Sequence, residues 1–553
     1  MAAPRSTRRS QPPVSSSRAE PGRRRPKEPA RPPAGRLLPL QQPGREDPMT
    51  TQLSPSTTDW SADPRWSLVS SDAYPLLIGG RLVQADDGAV FPAVSPRDNE
   101  PVARIAQAGA ADVAAAVTAA RQAFDDGPWG RTTARDRGVY LLRIADLIEG
   151  HADELAFLES IDAGKPISSV HYSDLSISLD SLRFFAGRAR ISPAKAAEMP
   201  DAAVIHHELI EPLGVVAEIL PWNGPLWTGI QRMAAILAAG NAAIVKPAQM
   251  ASLTFMRVAQ LLVEADLPPG AVNVVAGPGG VVGEALTLDP RVDMISLTGG
   301  IETGTRILEQ AASQVKRISL ELGGKNPNLV FADADLDTAV TWSALGAFGN
   351  TGQICVCGSR ILVERSVHDR FVEGLVAKAE AMKVGEPLDP STELGPVIAA
   401  SHGAKVWEYI QVGKGEARLL TGGVPYTDPV RSKGAYIPPT VFAEATPTCR
   451  IAREESFGPV VAVLPFDTEA EAVAIANDTT YGLAAGVFTR DLDRAWRLGR
   501  SLKAGQVYVN QWFSPGVLEA PGHGYKQSGY GGVGIEKYSQ HKQLFFRVAD
   551  AGR

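Results

Sequence analysis

Two short runs in this chain contain the residue types that acyl chemistry needs. Glu321 begins Glu-Leu-Gly-Gly-Lys at 321–325, and Cys355 lies in Gly-Gln-Ile-Cys-Val-Cys-Gly-Ser-Arg at 352–360. A thiolate can attack an electrophilic carbon, and a carboxylate can take a proton from water. Upstream, Asn223 of Pro-Trp-Asn-Gly-Pro at 221–225 can donate its amide to an oxyanion. These residues predict a nucleophile, a general base and an oxyanion donor.

Each of these residues also has a purely structural explanation. Cys357 is as well suited by composition as Cys355 to be the nucleophile, and either thiol could be an inert buried side chain. Glu321 could cap a helix or form a salt bridge, and Asn223 could stabilise its own turn. Leucines flank Glu321 on both sides, so we expect them to desolvate its carboxyl group and to raise its pKa.

Six motifs occur in order along the chain. They are Pro-Trp-Asn at 221–223, Lys-Pro-Ala at 246–248, Thr298-Gly299 with Gly304, the Glu321 run, the Cys355 run, and Glu-Ser-Phe-Gly-Pro at 455–459. In content and order this set resembles the NAD(P)-dependent aldehyde dehydrogenases of the hydrolytic, non-CoA-acylating type. The resemblance extends from about residue 74 to about residue 543.

The resemblance implies an enzyme that oxidises an aldehyde to a carboxylic acid with NAD(P)+. It places the nucleophile two residues after Gln353, at Cys355, which would form a thiohemiacetal and then a thioester. Glu321 would activate the water that hydrolyses the thioester, and Asn223 would act with the backbone N–H of Cys355 as oxyanion donor. Two alternatives stay open. A CoA-acylating dehydrogenase would not need Glu321, and an inactive binding protein on the same fold would not need these three residues.

The resemblance also implies which residues bind the cofactor. They are Trp222, Lys246, Gln249, Gly279, Thr298, Gly299, Gly300, Gly304, Leu322, Glu455 and Phe457. A lysine at a strand end can reach a ribose or a phosphate, and glycines between a strand and a helix let a pyrophosphate approach the backbone. The structural alternatives are a solvated lysine, an interface salt bridge for Glu455 and a core aromatic for Phe457.

Gln249 stands three residues after Lys246, where many NAD-using members of that family carry a glutamate. A neutral amide can hydrogen-bond the adenosine ribose but lacks the charge that would repel the 2′-phosphate of NADP. We therefore expect NAD to be the better cofactor and NADP to be used measurably.

The expected substrate pocket departs from the familiar members. Gly224 replaces a bulky residue, and Pro-Gly-His-Gly at 521–524 stands where Pro-Phe-Gly-Gly is common. Trp512 and Phe513 are candidates to line the pocket instead. We expect a roomy, partly aromatic pocket with His523 near its mouth, although a surface loop would also explain that histidine. Aliphatic, aromatic, amino-aldehyde and semialdehyde substrates are all compatible with these residues.

Composition narrows the class of protein. The chain has 553 residues, 44% of them hydrophobic and 21% charged, with a net charge of −6 and three cysteines. No run reaches the roughly 18 apolar residues of a membrane helix, and an acidic folded part is not expected to bind nucleic acid. The cysteine spacing does not suit zinc, and so few cysteines argue against a secreted, disulfide-stapled protein. We expect a cytoplasmic enzyme without a metal.

Residues 1–48 differ from the rest, with eleven Lys or Arg, four Asp or Glu and eleven Pro. Such a segment cannot bury a core, so we expect disorder rather than a targeting or nucleic-acid arm. After it, short apolar strands at 215–220, 242–246, 272–275 and 294–297 alternate with helices at 231–239, 256–265 and 303–315. A second series of strands and helices follows from 328 to about 466.

This alternation predicts an α/β protein with two packed parallel-sheet domains. We expect a disordered tail at 1–60, a Rossmann-like cofactor domain at 61–190 and 214–322, and a catalytic domain at 323–525. The family resemblance implies a small β arm for oligomerisation at 191–213 and 526–549, and hence a homodimer or homotetramer. The extended segment at 203–209 suits an exposed arm that needs a partner.

Overall fold

The computed structural model describes residues 60–191, 195–512, 518–520, 522–532 and 534–548. The tail at 1–59, together with Phe513 and Pro521 of the expected pocket, lies outside the described residues. None of the helices within these ranges is long and apolar enough to cross a membrane.

The α-helices of the described ranges are α1 Ala110–Asp125, α2 Ala134–Gly150, α3 Ala152–Ala163, α4 Ile167–Ser169, α5 Ser176–Arg188, α6 Pro225–Ala239, α7 Leu253–Glu264, α8 Glu284–Leu288, α9 Ile301–Ala311, α10 Leu336–Phe348, α11 His368–Ala381, α12 Ala400–Glu416, α13 Arg450–Arg453, α14 Glu469–Asn477 and α15 Leu492–Ser501.

The β-strands of the same ranges are β1 Leu76–Ile78, β2 Arg81–Val83, β3 Val90–Val94, β4 Pro101–Ala106, β5 Val204–Pro212, β6 Val215–Ile219, β7 Ala242–Lys246, β8 Val272–Val274, β9 Met294–Thr298, β10 Arg317–Glu321, β11 Pro327–Val330, β12 Arg360–Glu364, β13 Arg418–Thr421, β14 Thr440–Ala443, β15 Val460–Phe466, β16 Ala484–Phe488, β17 Gln506–Val509, β18 Gly529–Tyr530 and β19 Ser539–Arg547.

The first large sheet has the strand order β18-β10-β9-β6-β7-β8-β1-β2. Strands β10, β9, β6, β7 and β8 run parallel, whereas β18 pairs antiparallel with β10 at one edge and β1 pairs antiparallel with both β8 and the edge strand β2 at the other. Every residue of β6 and β7 is buried, as expected for strands that helices cover on both faces. The predicted parallel sheet is thus confirmed, with antiparallel edges added.

The second large sheet has the order β13-β14-β15-β12-β11-β16-β17 and is parallel except for β13. Two α/β sheets are therefore present, as the alternating strands and helices predicted.

The strand and helix predictions in the first sheet agree with the structure within a few residues, with one larger difference. Helix α6 begins at Pro225, six residues before the predicted start at 231. Proline suits the first turn of a helix because its φ is already helical and its missing N–H has no partner there. The apolar pattern marked only the later part of this helix, although most of the first six residues are buried too.

A small sheet joins the two segments expected to form the arm. Strands β5 and β19 pair antiparallel over their whole length, from Val204 with Arg547 to Pro212 with Ser539. The expected arm segment at 526–549 also contains β18, which pairs with β10 at the edge of the first large sheet. One segment therefore contributes to two sheets, and the domain boundaries stay a prediction.

Candidate active site

Several predicted residues follow the carboxyl ends of parallel strands in the first sheet. Asn223 comes after β6, Lys246 ends β7, Thr298 ends β9 and Glu321 ends β10. These strands are neighbours, so their carboxyl ends meet at one edge, which is where ligands bind in open α/β sheets.

Other predicted residues precede strands of the second sheet. Cys355 lies in the loop that leads into β12, and Glu455 and Phe457 lie in the loop that leads into the neighbouring strand β15. Residues 322–326 connect the carboxyl end of β10 to the amino end of β11, the other neighbour of β12. This short link brings the carboxyl edge of the first sheet to the amino edge of the second.

Two glycines in the link allow close contact with the other motifs. The Gly324 N–H donates to Glu455 Oε1 at 3.0 Å. A Cβ on Gly323 would lie 2.0 Å from Glu455 Oε2, and a Cβ on Gly324 would lie 2.6 Å from the Cys355 carbonyl oxygen. Any side chain at either position would displace one of these neighbours. The Glu321, Cys355 and Glu455 motifs therefore meet at this turn.

Asn326 orients the loop that contains Cys355 and leads into β12, here called the cysteine loop. Its Nδ2 donates to the carbonyl oxygens of Cys355 at 2.9 Å and Cys357 at 2.8 Å, while its Oδ1 accepts from the Ala484 N–H at 2.9 Å. No sequence motif identified Asn326, although it directly follows the 321–325 run.

Asn223 reaches the same loop from the first sheet. Its Nδ2 donates to the Gln353 carbonyl oxygen at 2.8 Å, and its own carbonyl oxygen accepts from Asn350 Nδ2 at 3.0 Å. The structure therefore places the Asn223 side chain against the cysteine loop, where it contacts the residue two positions before Cys355. One amide hydrogen is used in that contact, which fixes the orientation of the side chain.

Cys355 and Cys357 differ in exposure rather than in acidity. Cys355 is partly exposed, whereas Cys357 is buried. Burial raises the pKa of both thiols to about 12, and the carboxylates of Glu455 and Glu321 add to this at Cys355. The backbone N–H groups of Cys355 and Val356 lower the pKa of Cys355 and so favour its thiolate. Of the two cysteines, only Cys355 is both exposed enough to meet a substrate and close to the N–H groups of Cys355 and Val356.

Glu321 is partly buried at the end of β10 and its Oε1 atom is enclosed, in line with its flanking leucines. Burial raises its pKa, while Arg232, Lys537 and His523 lower it, as does the N–H of Gly532. Its Oε1 accepts no hydrogen bond from the described residues. A buried carboxylate oxygen without a protein donor is suited to accept a proton from a reactant.

Glu455 has a similar environment on the opposite side of the link. Burial raises its pKa to about 7, and the Gly324 N–H and Lys325 oppose this rise. Beside it, Phe457 has φ of 50°, a left-handed conformation that non-glycine residues rarely adopt. Asn350 and Thr351, in the turn before Cys355, have φ of 50° and 55°. Such strain persists only where the surroundings impose it, and here it lies on both sides of the candidate site.

An aromatic cluster joins Trp222 to Phe457. Their ring centroids are 5.1 Å apart at 82°, and His402 lies 5.1 Å from the Trp222 ring. The Nε2 atom of His402 is 2.7 Å from the carbonyl oxygen of Phe457, which holds the strained residue. Burial lowers the pKa of His402, so this histidine is neutral near pH 7. His402 was not predicted, because nothing in the start of α12 distinguishes it in sequence.

The remaining predicted residues fit a dinucleotide. Lys246 is buried, its pKa is lowered to about 8 by burial, and its Nζ donates only to the Pro247 carbonyl oxygen, at 3.1 Å, among the described residues. The buried Thr298 Oγ1 has no partner there. Open space surrounds the positions that a Cβ would take on Gly279 and Gly300. The polar groups without a protein partner are suited to hydrogen-bond ribose hydroxyls, and the open space at the two glycines suits a pyrophosphate.

Helix α9 completes this cradle. Gly300 caps its N-terminus, and a Cβ on Gly304 would lie 3.0 Å from Leu322 Cδ2. The first turn of the helix therefore packs directly on Leu322, and its N-terminal N–H groups have no side-chain cap from Gly300. Gln249 is exposed in the one-turn 3₁₀ helix Gln249–Ala251 beyond Lys246.

The expected pocket needs two corrections. A Cβ on Gly224 would lie 2.1 Å from Trp227 Nε1, so the Trp227 indole occupies the space that a larger residue at 224 would fill. Trp512 is only 1% exposed and does not line a pocket. Its ring lies over Gly346 and Gly358 and so supports the cysteine loop from behind. A tryptophan three residues later therefore replaces the missing bulk beside Gly224, and the size of the whole substrate pocket stays a prediction.

His523 is exposed, and its charge reaches Glu321, which places it close to the site. Its imidazole lies 6.0 Å from the Tyr525 ring. Its expected position near the pocket mouth stays a prediction.

Comparison with known proteins identifies close relatives. The Aldehyde dehydrogenase family model matches residues 82–544. A betaine aldehyde dehydrogenase from Bacillus subtilis (strain 168) is 40% identical over 475 residues, which cover 85% of this chain and 96% of that protein. The cytosolic aldehyde dehydrogenase 1 from Rattus norvegicus is 42% identical over 471 residues, which cover 84% and 93%.

Solved structures give the same result. A betaine aldehyde dehydrogenase from Staphylococcus aureus, in complex with NAD+, matches with a TM-score of 0.84 and 37% identity, covering 87% of this chain and 96% of that chain. An NAD-dependent aldehyde dehydrogenase from Sinorhizobium meliloti matches with a TM-score of 0.85 and 39% identity, covering 89% and 98%.

Proposed function

Because the chain belongs to the aldehyde dehydrogenase family, and is therefore an NAD-dependent enzyme that oxidises aldehydes, we propose that Cys355, Glu321 and Asn223 perform the chemistry. Cys355 is the nucleophile, Glu321 the general base and Asn223 an oxyanion donor. The observation that supports this most directly is the glycine turn at 323–324, which contacts both the cysteine loop and Glu455.

In the first half-reaction the Cys355 sulfur bonds to the aldehyde carbon and gives a thiohemiacetal. The thiol is protonated at neutral pH, since burial raises its pKa to about 12, so its proton must pass to a base. Solvent accepts this proton, because the Cys355 side chain is partly exposed, so Glu321 stays ionised for the second half-reaction. The Asn223 amide and the backbone N–H of Cys355 stabilise the negative charge on the former carbonyl oxygen.

When bound, NAD+ would supply the acceptor for the hydride that leaves the thiohemiacetal carbon, so that a thioester remains on Cys355. We propose that Lys246, Thr298 and Glu455 hold its polar groups and that Trp222 and Phe457 form an aromatic wall. These side chains have buried polar atoms or ring faces at the shared edge of the two sheets.

In the second half-reaction Glu321 takes a proton from water, and the resulting hydroxide attacks the thioester carbon. The carbon–sulfur bond then breaks, the carboxylic acid leaves, and the thiolate is regenerated. The unpartnered Oε1 of Glu321 supports this role, because it can accept the hydrogen bond from that water.

Glu321→Gln separates the two halves of the reaction. Acylation should survive, so the variant should give a pre-steady-state burst of NADH followed by steady-state turnover reduced on the order of a hundredfold or more. The matched control is Glu309→Gln, an exposed glutamate on α9, which should behave as the native enzyme. Equal loss of the burst and of turnover would show that Glu321 is needed before hydrolysis as well.

Addition of coenzyme A tests the CoA-acylating alternative. A hydrolytic enzyme should oxidise a panel of aldehydes at rates that do not depend on coenzyme A, and the product should be the free acid. Formation of an acyl-CoA instead would contradict the role of Glu321.

We also propose a cytoplasmic location and a homo-oligomer. All three cysteines are free, which suits a reducing compartment, and the rat relative is described as cytosolic. The β5–β19 sheet supports association, because side chains such as Phe545 are exposed on it. We propose that NADP is accepted at lower efficiency, since Gln249 carries no charge.

A further inference from the structure

A row of buried polar side chains crosses the first sheet behind Glu321. Glu218 on β6, Ser296 on β9 and Ser319 on β10 are neighbours in register, and all are buried. Register neighbours in a parallel sheet point to the same face, and so do residues two apart on one strand. Glu321 therefore leaves the same face as Ser319, about 7 Å further along β10.

Lys537 lies on this polar row. It belongs to the one-turn 3₁₀ helix Ile535–Tyr538, and its Nζ donates to the hydroxyl oxygens of Ser296 and Ser319, each at 3.2 Å. The next residue, Tyr538, donates from its hydroxyl to Glu218 Oε2 at 3.2 Å. Two serines of the polar row thus fix the ammonium group, and the charges of Glu218 and Glu321 both act on it.

Arg232 on α6 completes the group. Its Nη1 donates to the Gly532 carbonyl oxygen at 3.1 Å, and the N–H of the same residue stabilises the ionised Glu321. Two cations, Arg232 and Lys537, therefore share a buried region with two carboxylates, Glu218 and Glu321. An uncompensated buried charge is costly, so removal of one cation favours protonation of a carboxylate.

We propose that Lys537 is a positioning residue that keeps Glu321 ionised for thioester hydrolysis. This inference rests on the proposed role of Glu321 as the general base. The proposed mechanism does not otherwise use Lys537, and no sequence motif identifies it.

Burial lowers the pKa of Lys537 to about 7, with Arg232 adding to that effect and Glu218 and Glu321 opposing it. The lysine is therefore charged in the acid range, where Glu321 would otherwise take up a proton. Lys537 also lines a surface pocket of about 670 Å³ with Ser319 and Tyr530, so it can exchange protons with solvent.

The sign of the effect follows from charge. Burial raises the pKa of Glu321, and the positive charges of Arg232, Lys537 and His523 oppose that rise. Without Lys537 the pKa of Glu321 rises further, and the carboxylate form is lost at a higher pH. The charged or titratable groups that face this pair from the surrounding elements are Arg232, Glu218, His523, Tyr538 and Cys355.

Lys537→Met tests the proposal through the pH dependence of acyl-enzyme hydrolysis, measured as turnover after the NADH burst. The pH at which this rate falls on the acid side should rise by about one unit. The rate should then be about tenfold below native at low pH and near native at high pH. Burst amplitude should not change. Lys537→Gln keeps a polar contact with the serines without the charge and should shift this pH equally, whereas Lys537→Arg should restore the native profile.

The control is Lys316→Met. Lys316 precedes β10 and is held by the carbonyl oxygens of Thr287 and Asp289, so its loss should leave the pH profile unchanged. If Lys537→Met is unstable, Lys537→Gln gives the decisive profile. A native profile in that variant, or an equal loss at every pH, overturns the proposal and leaves the lysine a structural role. Normal turnover in Glu321→Gln would instead overturn the base assignment itself.

Discussion

At the scale of single residues, Cys355 and Cys357 form an internal comparison. They are two residues apart, and Asn326 binds both carbonyl oxygens, but only Cys355 is partly exposed. Cys355→Ala should abolish dehydrogenase activity and any esterase activity, because the bond-forming atom is lost. Cys357→Ala should keep most of the rate. Stopped-flow measurement of NADH formation distinguishes them, and an inactive Cys357→Ala would mean that the nucleophile is misassigned.

Gln249 is the residue at which cofactor choice is predicted. It is exposed and lies beyond Lys246 at the carboxyl edge of the first sheet. Gln249→Glu should lower kcat/KM for NADP at least tenfold and leave NAD largely unaffected, because a carboxylate repels the 2′-phosphate. The measurement is kcat/KM for both cofactors in both proteins. If the variant accepts NADP as well as the native enzyme does, another residue makes the distinction.

At the scale of elements, we predict that helix α9 positions the cofactor because its first turn packs closely against Leu322. Gly304 permits this, since a Cβ there would lie 3.0 Å from Leu322 Cδ2. Gly304→Val should lift the first turn, at a cost of about 1–3 kcal/mol from overpacking, and raise KM for NAD roughly tenfold. Thr303→Val, an exposed change on the same turn, is the control. An unchanged KM with Gly304→Val would show that the helix does not position the cofactor.

At the scale of the whole molecule, we predict that the β5–β19 sheet mediates association of subunits. A two-stranded sheet is marginal by itself, and Phe545 and Phe546 are 61% and 52% exposed on this one. Phe545→Glu with Phe546→Glu should reduce the native mass, measured by light scattering after size exclusion, towards the 58.6 kDa of one chain. Leu492→Glu on α15, an equally drastic change at an exposed position, should leave the native mass unaltered. A native mass unaffected by the double variant would place the interface elsewhere.

Much of this molecule is determined locally by the sequence. Strands β6, β7, β8 and β9 and the helices between them follow from apolar runs, glycines and spacing, since these features act within a few residues. The motifs around Cys355, Glu321 and Glu455 identify the family and the type of reaction, because each motif consists of particular residue types at fixed spacing.

The tertiary structure decided what those motifs contact. It filled the space beside Gly224 with Trp227 and directed Trp512 inward, because side-chain volume is redistributed among neighbours in space. It also brought Lys537 to the polar row behind Glu321, across more than two hundred residues of sequence. Such contacts depend on strand order and on the link at 322–326 that joins two sheet edges. No local pattern specifies which distant residues those edges bring together.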